Sequence, residues 1–425
     1  MCSLFMGSTG VSGSAGVSAI GDETTGPTGQ SESPFVYDLR LNEGSPESYF
    51  NELATFSDEV LDQIEKQAGA ILDRYIEYNE LILQEVPTSR GEAAMDLLTV
   101  GAVTSIYGAS AGRVPAWVLR ELQKLSWKRD RPALTTGMLR DALFAAFMKV
   151  DSGRRADVAD RPPRFSMEVE QLPHLIEWLQ CTIDLGESSR RLINWLSLLR
   201  TLTPSQASDW MARVQDLFDW FQTAAGEALG NYTRGVSRFL AARRPSENRR
   251  PDRFLRGKKA VEYHLAMVAA EIGNRGMRHA FRRCPRKLVI VPACMRGANA
   301  RTSPGGQSAG LDVTCEGCDP SCNVNKATAL LGLSEARVYL ENCPRTSVRL
   351  AARWSQEPRT GVVIAACLAI MPSVQAATRS ARMTCQFLPL DFPGCQSHWL
   401  RHRIPATSNE SELVWLVTGS KLRRL

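Results

Sequence analysis

The sequence contains no run of eighteen or more apolar residues, the length a helix needs to cross a bilayer, so no membrane span is expected. It lacks the basic start and solid apolar stretch of a secretory signal. The glycine spacings that cradle nucleotides, G-x-x-x-x-G-K-[ST] and G-x-G-x-x-G, are missing, as is the H-E-x-x-H of zinc proteases. No internal repeat with a period of about 20–50 residues appears, which argues against a solenoid. Charge of one sign is also scarce overall: 51 Lys and Arg against 45 Asp and Glu leave a net +6 over 425 residues. The excess is local, in Arg243, Arg244, Arg249, Arg250, Arg253, Arg256, Lys258 and Lys259. Only Phe254 interleaves with these cations, so a solvated linker is expected there and nucleic acid is not an expected partner.

What is present is an ordinary globular balance, 44% hydrophobic and 23% charged. From about Met6 to Pro34 the chain is mostly Gly, Ser and Thr, a composition that cannot bury enough apolar surface to offset its ordering entropy. A disordered tail is expected over residues 1–45. From Ser48 to Arg283 the period is helical: Phe50, Leu53, Phe56, Val60 and Ile64 recur at three- and four-residue steps. Thr203 before Pro204 reads as a helix start, and Trp210, Val214, Leu217, Trp220 and Phe221 form one stripe. An all-α domain is expected over 46–242, a basic linker over 243–258, and a further helix from Lys259 to Arg283. On that helix His264, Glu271 and Arg275 share one flank, within about 40° at 100° per residue.

After Arg286 the pattern changes. Leu288–Val291, Ala336–Leu340, Gly361–Ala366 and Gln386–Leu390 are short apolar runs rich in β-branched residues, separated by helix-compatible segments at Asn325–Leu331, Ser347–Trp354 and Val374–Arg382. Continuous apolar strands alternating with helices predict a mostly parallel sheet covered on both faces. The expected fold is thus α+α/β, an N-terminal all-α domain followed by a small Rossmann-like, mostly parallel α/β domain over 259–425.

Nine of the eleven cysteines fall between Cys284 and Cys395. An odd total crowded at one end, without a leader, points to metal ligands or catalytic thiols in a reducing, cytoplasmic setting rather than to disulfides. Cys294, Cys367 and Cys395 each follow a predicted strand, where open parallel sheets bind their ligands. Cys315-Glu-Gly-Cys318-Asp-Pro-Ser-Cys322 lies in the long loop after the first strand and can fold over the same rim. Thiolates suit zinc and iron–sulfur clusters alike. Structural zinc usually takes two close pairs of ligands, whereas a triplet plus dispersed single cysteines fits a 4Fe-4S cubane held by Cys315, Cys318 and Cys322. The fourth ligand is then Cys294, Cys367 or Cys395, or the iron is left open. The spacing is not the C-x3-C-x2-C of radical S-adenosylmethionine enzymes. Cys284, Cys343 and Cys385 read as small buried hydrophobes, and Cys2 and Cys181 as incidental. Arg296, Arg301, Lys326 and His398 are candidates to face an anionic substrate or flank the site, with His264, Glu271 and Arg275 as candidate supporting groups.

Several of these segments resemble a known family. They are Glu262-Tyr-His264 with Glu271 and Asn274-Arg275, Val291-Pro-Ala-Cys294-Met-Arg296, Cys315-x-x-Cys318-x-Pro-x-Cys322-x-Val-Asn325, Ala366-Cys367, and Gly394-Cys395 with His398-Trp399. In that order they resemble the family catalogued as domain of unknown function 116, over roughly Glu262 to Trp399, and the helical region resembles the N-terminal extension of its longer members. The resemblance implies a cysteine-rich prokaryotic protein binding metal or an iron–sulfur cluster, with the family's cysteines at Cys294, Cys315, Cys318, Cys322, Cys367 and Cys395, and no particular reaction. Members often carry a second cysteine near the last one, where this chain has Phe392 and Pro393. The expected function is a cytoplasmic iron–sulfur protein with a redox or enzymatic role. Its rivals are a zinc-stabilised interaction module with a protein partner and a metal-free thiol redox or sulfur-transfer enzyme.

Overall fold

Thr203 caps a helix because its hydroxyl takes the Gln206 N–H while the Gln206 side chain returns to the Thr203 N–H. Ser89 and Glu92 close the same reciprocal box at another helix start. In the computed structural model of the chain, the described residues are 33–40, 48–85, 89–127, 146–147, 168–182, 186–243, 252–297, 314–315, 317–332, 334, 336–341, 359–396 and 398–420. The chain divides into two units, Met1–Pro34 and Phe35–Leu425, and every described helix and strand belongs to the second.

The first part of that unit is helical: α1 (Ser48–Leu81), α2 (Arg90–Gly112), α3 (Ala116–Trp127), α4 (Leu172–Cys181), α5 (Gly186–Leu199), α6 (Pro204–Leu229) and α7 (Gly235–Ala241). Helix α2 is buried on nearly all sides, which places it at the centre of this layer. Gly101 lets α6 approach it: a Cβ there would stand 2.5 Å from the Val214 carbonyl oxygen. Helix α8 (Ala260–Arg282) then leads into the second part.

That part is a four-stranded parallel sheet, β1 (Arg286–Pro292), β2 (Arg337–Glu341), β3 (Thr360–Ala366) and β4 (Thr384–Pro389), in the order β2-β1-β3-β4. Leu288 pairs with Arg337 on one side and Val362 on the other, and Val362 pairs with Cys385. Helices α9 (Asn323–Leu331), α10 (Met371–Ser380) and α11 (Glu410–Thr418) complete it. Alternate strand residues point to opposite faces. Val289, Val291, Val363 and Leu388 meet Val324 and Leu331 of α9 and Leu413 and Leu416 of α11. Leu288, Ile290, Val362 and Ile364 meet Ala270 of α8 and Met371 and Val374 of α10. Both faces are covered, which is why β1 and β3 read as unbroken apolar runs. The molecule is therefore mostly helical, with a small parallel sheet in its C-terminal part.

Two expectations meet a different arrangement. The segment Phe35 to Leu39, inside the expected tail, is buried: the Phe35 ring stacks on Phe392 at 4.0 Å, the Asp38 N–H donates to the Tyr232 carbonyl and the Leu39 N–H to the Asp391 carbonyl. Its Phe-Val-Tyr-Asp-Leu composition has apolar surface to bury, unlike the glycine-rich stretch before it. The expected basic linker also folds inward at its C-terminal end, where Arg253 is 1% and Lys258 6% exposed. Phe254 packs edge-on to Trp178 at 5.3 Å, so the two parts share a core through this segment. Residues 244–251 and the helix expected at Ser347–Trp354 lie outside the described residues.

Candidate functional site

Three cysteines stand at the carboxyl ends of three strands. Cys294 lies in a single 3-10 turn, Ala293–Met295, directly after β1, and its carbonyl accepts the Ala406 N–H at 2.9 Å. Cys367 directly follows β3, and its carbonyl accepts the N–H groups of Ile370 and Met371 as α10 begins. Cys395 follows Gly394 beyond β4, and its carbonyl accepts the Trp399 N–H at 3.2 Å. A Cβ at Gly394 would lie 1.8 Å from the Ile404 carbonyl oxygen, so only glycine lets the chain pass there to carry Cys395 to the rim.

Burial is the largest influence on all three thiols and pushes each above the ordinary thiol value, Cys395 up to about 12. Their mutual proximity adds to it: Cys367 and Cys395 both raise Cys294, and Cys367 raises Cys395. Backbone N–H groups oppose this, those of Ile370 and Ala369 at Cys367 and those of His398 and Trp399 at Cys395. The Lys258 ammonium also favours the Cys367 thiolate, and Arg403 the Cys294 thiolate. The rim thus holds three protonated, mutually sensitive thiols with amides placed to favour negative sulfur.

The C-x2-C-x3-C loop joins the rim beside Cys294. The Gly297 N–H donates to Cys322 Sγ at 3.2 Å, and the Gly317 N–H to Cys315 Sγ at 3.4 Å. Gly317 has φ +68°, a left-handed turn suited to glycine between Cys315 and Cys318. Asp319 is held by the Ser321 N–H and hydroxyl, and the Asn323 side chain donates to the Ala406 carbonyl, so loop, turn and the 403–406 segment are tied together. Arg403 closes the set by donating to the Gly297 carbonyl at 3.1 Å. Cys322 is buried, Cys315 half-buried and Cys318 exposed. Thr314 bridges to Tyr339 of β2, which sets Cys315 over the β2 side. Among the described residues no three His, Cys, Asp or Glu side chains stand close enough together to hold one metal ion as they are placed.

The other predicted residues distribute differently. Arg296 ends the Cys294 turn, half-buried, and Lys326 is exposed on α9. His398 Nδ1 lies 2.7 Å from Asp252 Oδ2. His264, Glu271 and Arg275 do not act as one group. Arg275 pairs with Glu271 at 2.7 Å, meets Asp58 and donates to the Ala54 carbonyl, binding α8 to α1. His264 is 2% exposed in the helical core, its Nε2 2.8 Å from Thr233 Oγ1. Arg301 lies outside the described residues, as does Cys343, while Cys284 and Cys385 are buried away from the rim as small hydrophobes.

Burial holds His264 down to about 4. The folded state keeps the ring neutral, while the unfolded chain takes a proton near the ordinary value of about 6.5. The stability this contributes is full above that value and is lost as pH falls toward 4. Urea unfolding should show about 2 kcal/mol more loss between pH 7 and pH 5 for the natural chain than for His264→Gln. Equal losses would refute a neutral buried ring. Asp391, pushed up to about 6 mainly by burial, gains stability as pH falls through that value, a contribution common to both proteins that cancels in the difference.

Sequence reasoning gave Tyr37 no role, took Lys258 for a linker cation and met Tyr263 only inside a motif. Tyr37 Oη accepts the Leu368 N–H at 3.1 Å, next to Cys367, and the Tyr37 and Tyr263 rings lie 5.7 Å apart. Both phenols are held well above their ordinary value, first by burial and then by Cys367. No spacing along the chain links residue 37 to residue 367, so no local signal marked them. Compared with known proteins, the chain matches no family model, no curated protein and no solved structure.

Proposed function

We propose that this chain is a thiolate-dependent metal protein whose site is the rim formed by Cys294, Cys367 and Cys395 with the Cys315, Cys318 and Cys322 loop, and that the bound group is an iron–sulfur cluster. One observation carries this reading: three half-buried thiols at the ends of three parallel strands sit within each other's electrostatic reach, with backbone N–H groups aimed at Cys367 and Cys395. Sulfur donors with amide hydrogen bonds are the chemistry such clusters use. A cation among these thiols would relieve the mutual repulsion that opposes their ionisation. Cys294, Cys367, Cys395 and Cys322 are the residues to hold it, with Cys315 and Cys318 on the solvent side. The sulfurs must draw together on loading, since they are not gathered around one point. Bound there, the cluster would supply one-electron transfer or an open iron.

The protein's own groups have definite roles in this reading. Ile370, Ala369, His398 and Trp399 amides stabilise negative sulfur. Lys258 and Arg403 offset part of the site's negative charge. Tyr37 and Tyr263 keep water from Cys367. The resemblance to domain of unknown function 116, a Rossmann-like character for the sheet and a cytoplasmic prokaryotic setting belong to the same proposal.

Metal and acid-labile sulfide analysis on anaerobically purified chain tests it. About four irons and four sulfides with a broad brown absorption are expected. Cys294→Ser and Cys367→Ser should each lose most of the iron, while Cys385→Ser, off the rim, should retain it. Loading should release protons, and apparent affinity should rise with pH, because the thiols start protonated. Stoichiometric zinc without sulfide would replace this reading with that of a structural module. Neither metal would overturn it.

A further inference from the structure

The cations gathered in the sequence at 243–258 turn inward where they are described, with Arg253 1% and Lys258 6% exposed. Exposed positive charge collects instead at the amino-terminal edge of the sheet, at the opposite strand ends from the cysteines. An arginine stands at the entry of every strand: Arg337 opens β2, Arg286 opens β1, Arg359 directly precedes β3, and Arg382 lies just before β4. Arg283 comes just ahead of Arg286, and all five are exposed. Arg286 pairs with Thr360, and Gly361 with Thr384, so the row stays close to one level across the sheet. At about 4.8 Å per strand step it is about 14 Å long. Burial raises the Cys284 thiol, and Lys287, Arg359 and Arg283 all pull it the other way, so these cations converge on one place. Lys287 is engaged by the Val417 carbonyl, and Arg286 has a partner of its own. Arg283, Arg337, Arg359 and Arg382 have no side-chain hydrogen bond or ion pair among the described residues.

Two of these four are held against backbone preference. Among the described residues three non-glycines have positive φ, and two of them are Arg359 at +66° and Arg382 at +52°. Arg382 follows the last turn of α10, where the Met383 N–H reaches back to the Thr378 carbonyl, a place helices commonly give to glycine. Glycine or asparagine would hold this left-handed backbone at less cost. An arginine kept in such a state points to a use for its side chain.

The surroundings decide what that use is. A protein-docking surface needs an apolar centre, and membrane attachment an apolar face. The exposed large hydrophobics among the described residues are in the helical part and at Ile404, beside Gly394 at the other end of the sheet. Single-stranded nucleic acid needs aromatic rings for its bases to stack on, and Phe281 at this edge is buried. A polar, positive, ring-free row of arginine forks matches the phosphates of a duplex backbone. At about 3.4 Å of axis per phosphate, a row of about 14 Å meets about four phosphates of one strand.

We propose that the amino-terminal edge of the sheet binds the backbone of double-stranded nucleic acid without reading its sequence, through Arg283, Arg337, Arg359 and Arg382. The surface shares no residue with the cysteine rim and stands whatever that rim binds. The chain order conceals it, because these arginines are spread from residue 283 to residue 382 and meet only when the strands align.

Fluorescence anisotropy of the full chain with two labelled 20-base-pair duplexes of unrelated sequence tests the proposal. Both should bind equally, with low-micromolar affinity at about 50 mM salt and a slope of log K against log salt of about −3.6, about 0.9 for each of four phosphates. Arg359→Asn and Arg382→Asn, which suit the left-handed backbone and should leave circular dichroism unchanged, should each weaken binding roughly fivefold to twentyfold and flatten the slope by about 0.9. Arg200→Gln, which removes an exposed arginine after α5, should leave binding within twofold. Polyglutamate of matched charge should compete at least tenfold less well than unlabelled duplex. No binding at about 100 μM chain and about 50 mM salt would overturn the proposal. So would tighter binding of a single strand, competition by polyglutamate equal to that of duplex, or undiminished binding by both asparagine variants.

Discussion

Asp96→Ala is expected to lower the stability of this protein by about 3–5 kcal/mol, the cost of stripping a buried charge of its partner. Asp96 is 7% exposed on α2. One oxygen meets Arg191 of α5, and both accept from Arg379 Nη1 of α10, at 3.1 and 3.2 Å. A single carboxylate therefore joins two helices of the helical layer to the helix that follows β3. Without it the Arg191 guanidinium, with 19% of its side chain exposed, stays in the packed interface without its ion-pair partner. Glu92 stands on the Arg379 side of the cluster and does not replace that partner. Urea unfolding of Asp96→Ala measures the loss. Asp96→Ala combined with Arg191→Met should recover part of it, since removing both partners costs less than removing one. A loss under about 1 kcal/mol would show that water replaces the carboxylate and that the cluster is not the joint between the two parts.

Asn274→Ala is expected to cost about 2–6 kcal/mol, about 1–3 for each of two buried backbone groups left without a partner. Asn274 is 5% exposed on α8. Its Nδ2 donates to the Phe387 carbonyl at 2.8 Å, and its Oδ1 accepts the Phe387 N–H at 2.6 Å. The same helix position also accepts, through its carbonyl, from Gln386 Nε2 at 3.1 Å. β4 is one of the two edge strands of the sheet. One amide side chain thus stands in for the neighbouring strand that β4 lacks, and it covers an edge that would otherwise be open to pairing. Hydrogen exchange gives a local readout: the Phe387 amide should lose protection in the variant by more than amides of β1. Because β4 leads to Asp391 and Cys395, the variant should also loosen the β4 side of the rim. Equal protection of Phe387 in both proteins would mean that α8 packing, not the amide clamp, holds the strand.

The features these two variants address were not legible in the chain, and the reason is the same for both. Asn274 meets Phe387 across 113 residues and Asp96 meets Arg379 across 283. Periodicity and turn chemistry report on neighbours within a few residues and say nothing of partners brought together by topology. Lys258 is a sharper instance: among seven other cations it reads as solvated linker, and only the folded turn after β3 makes it a buried ammonium bonded to the Ala369 carbonyl.

By itself the amino-acid order determined the elements and their kinds. The helix start at Thr203–Pro204, the stripe that includes Val214, Leu217 and Phe221, and unbroken β-branched runs in β1 and β3 each act over a few residues, so they are written where they occur. The placing of Cys294, Cys367 and Cys395 just past strands also followed, because parallel strands put their ends on one side. Tertiary structure alone decided which thiols are buried, that Cys318 faces solvent, that His264 and Arg275 part company on one helix, and that Phe35 to Leu39 packs into the core. Burial, hydrogen-bond partner and local field are properties of what surrounds a side chain, and the surroundings exist only once distant segments have met.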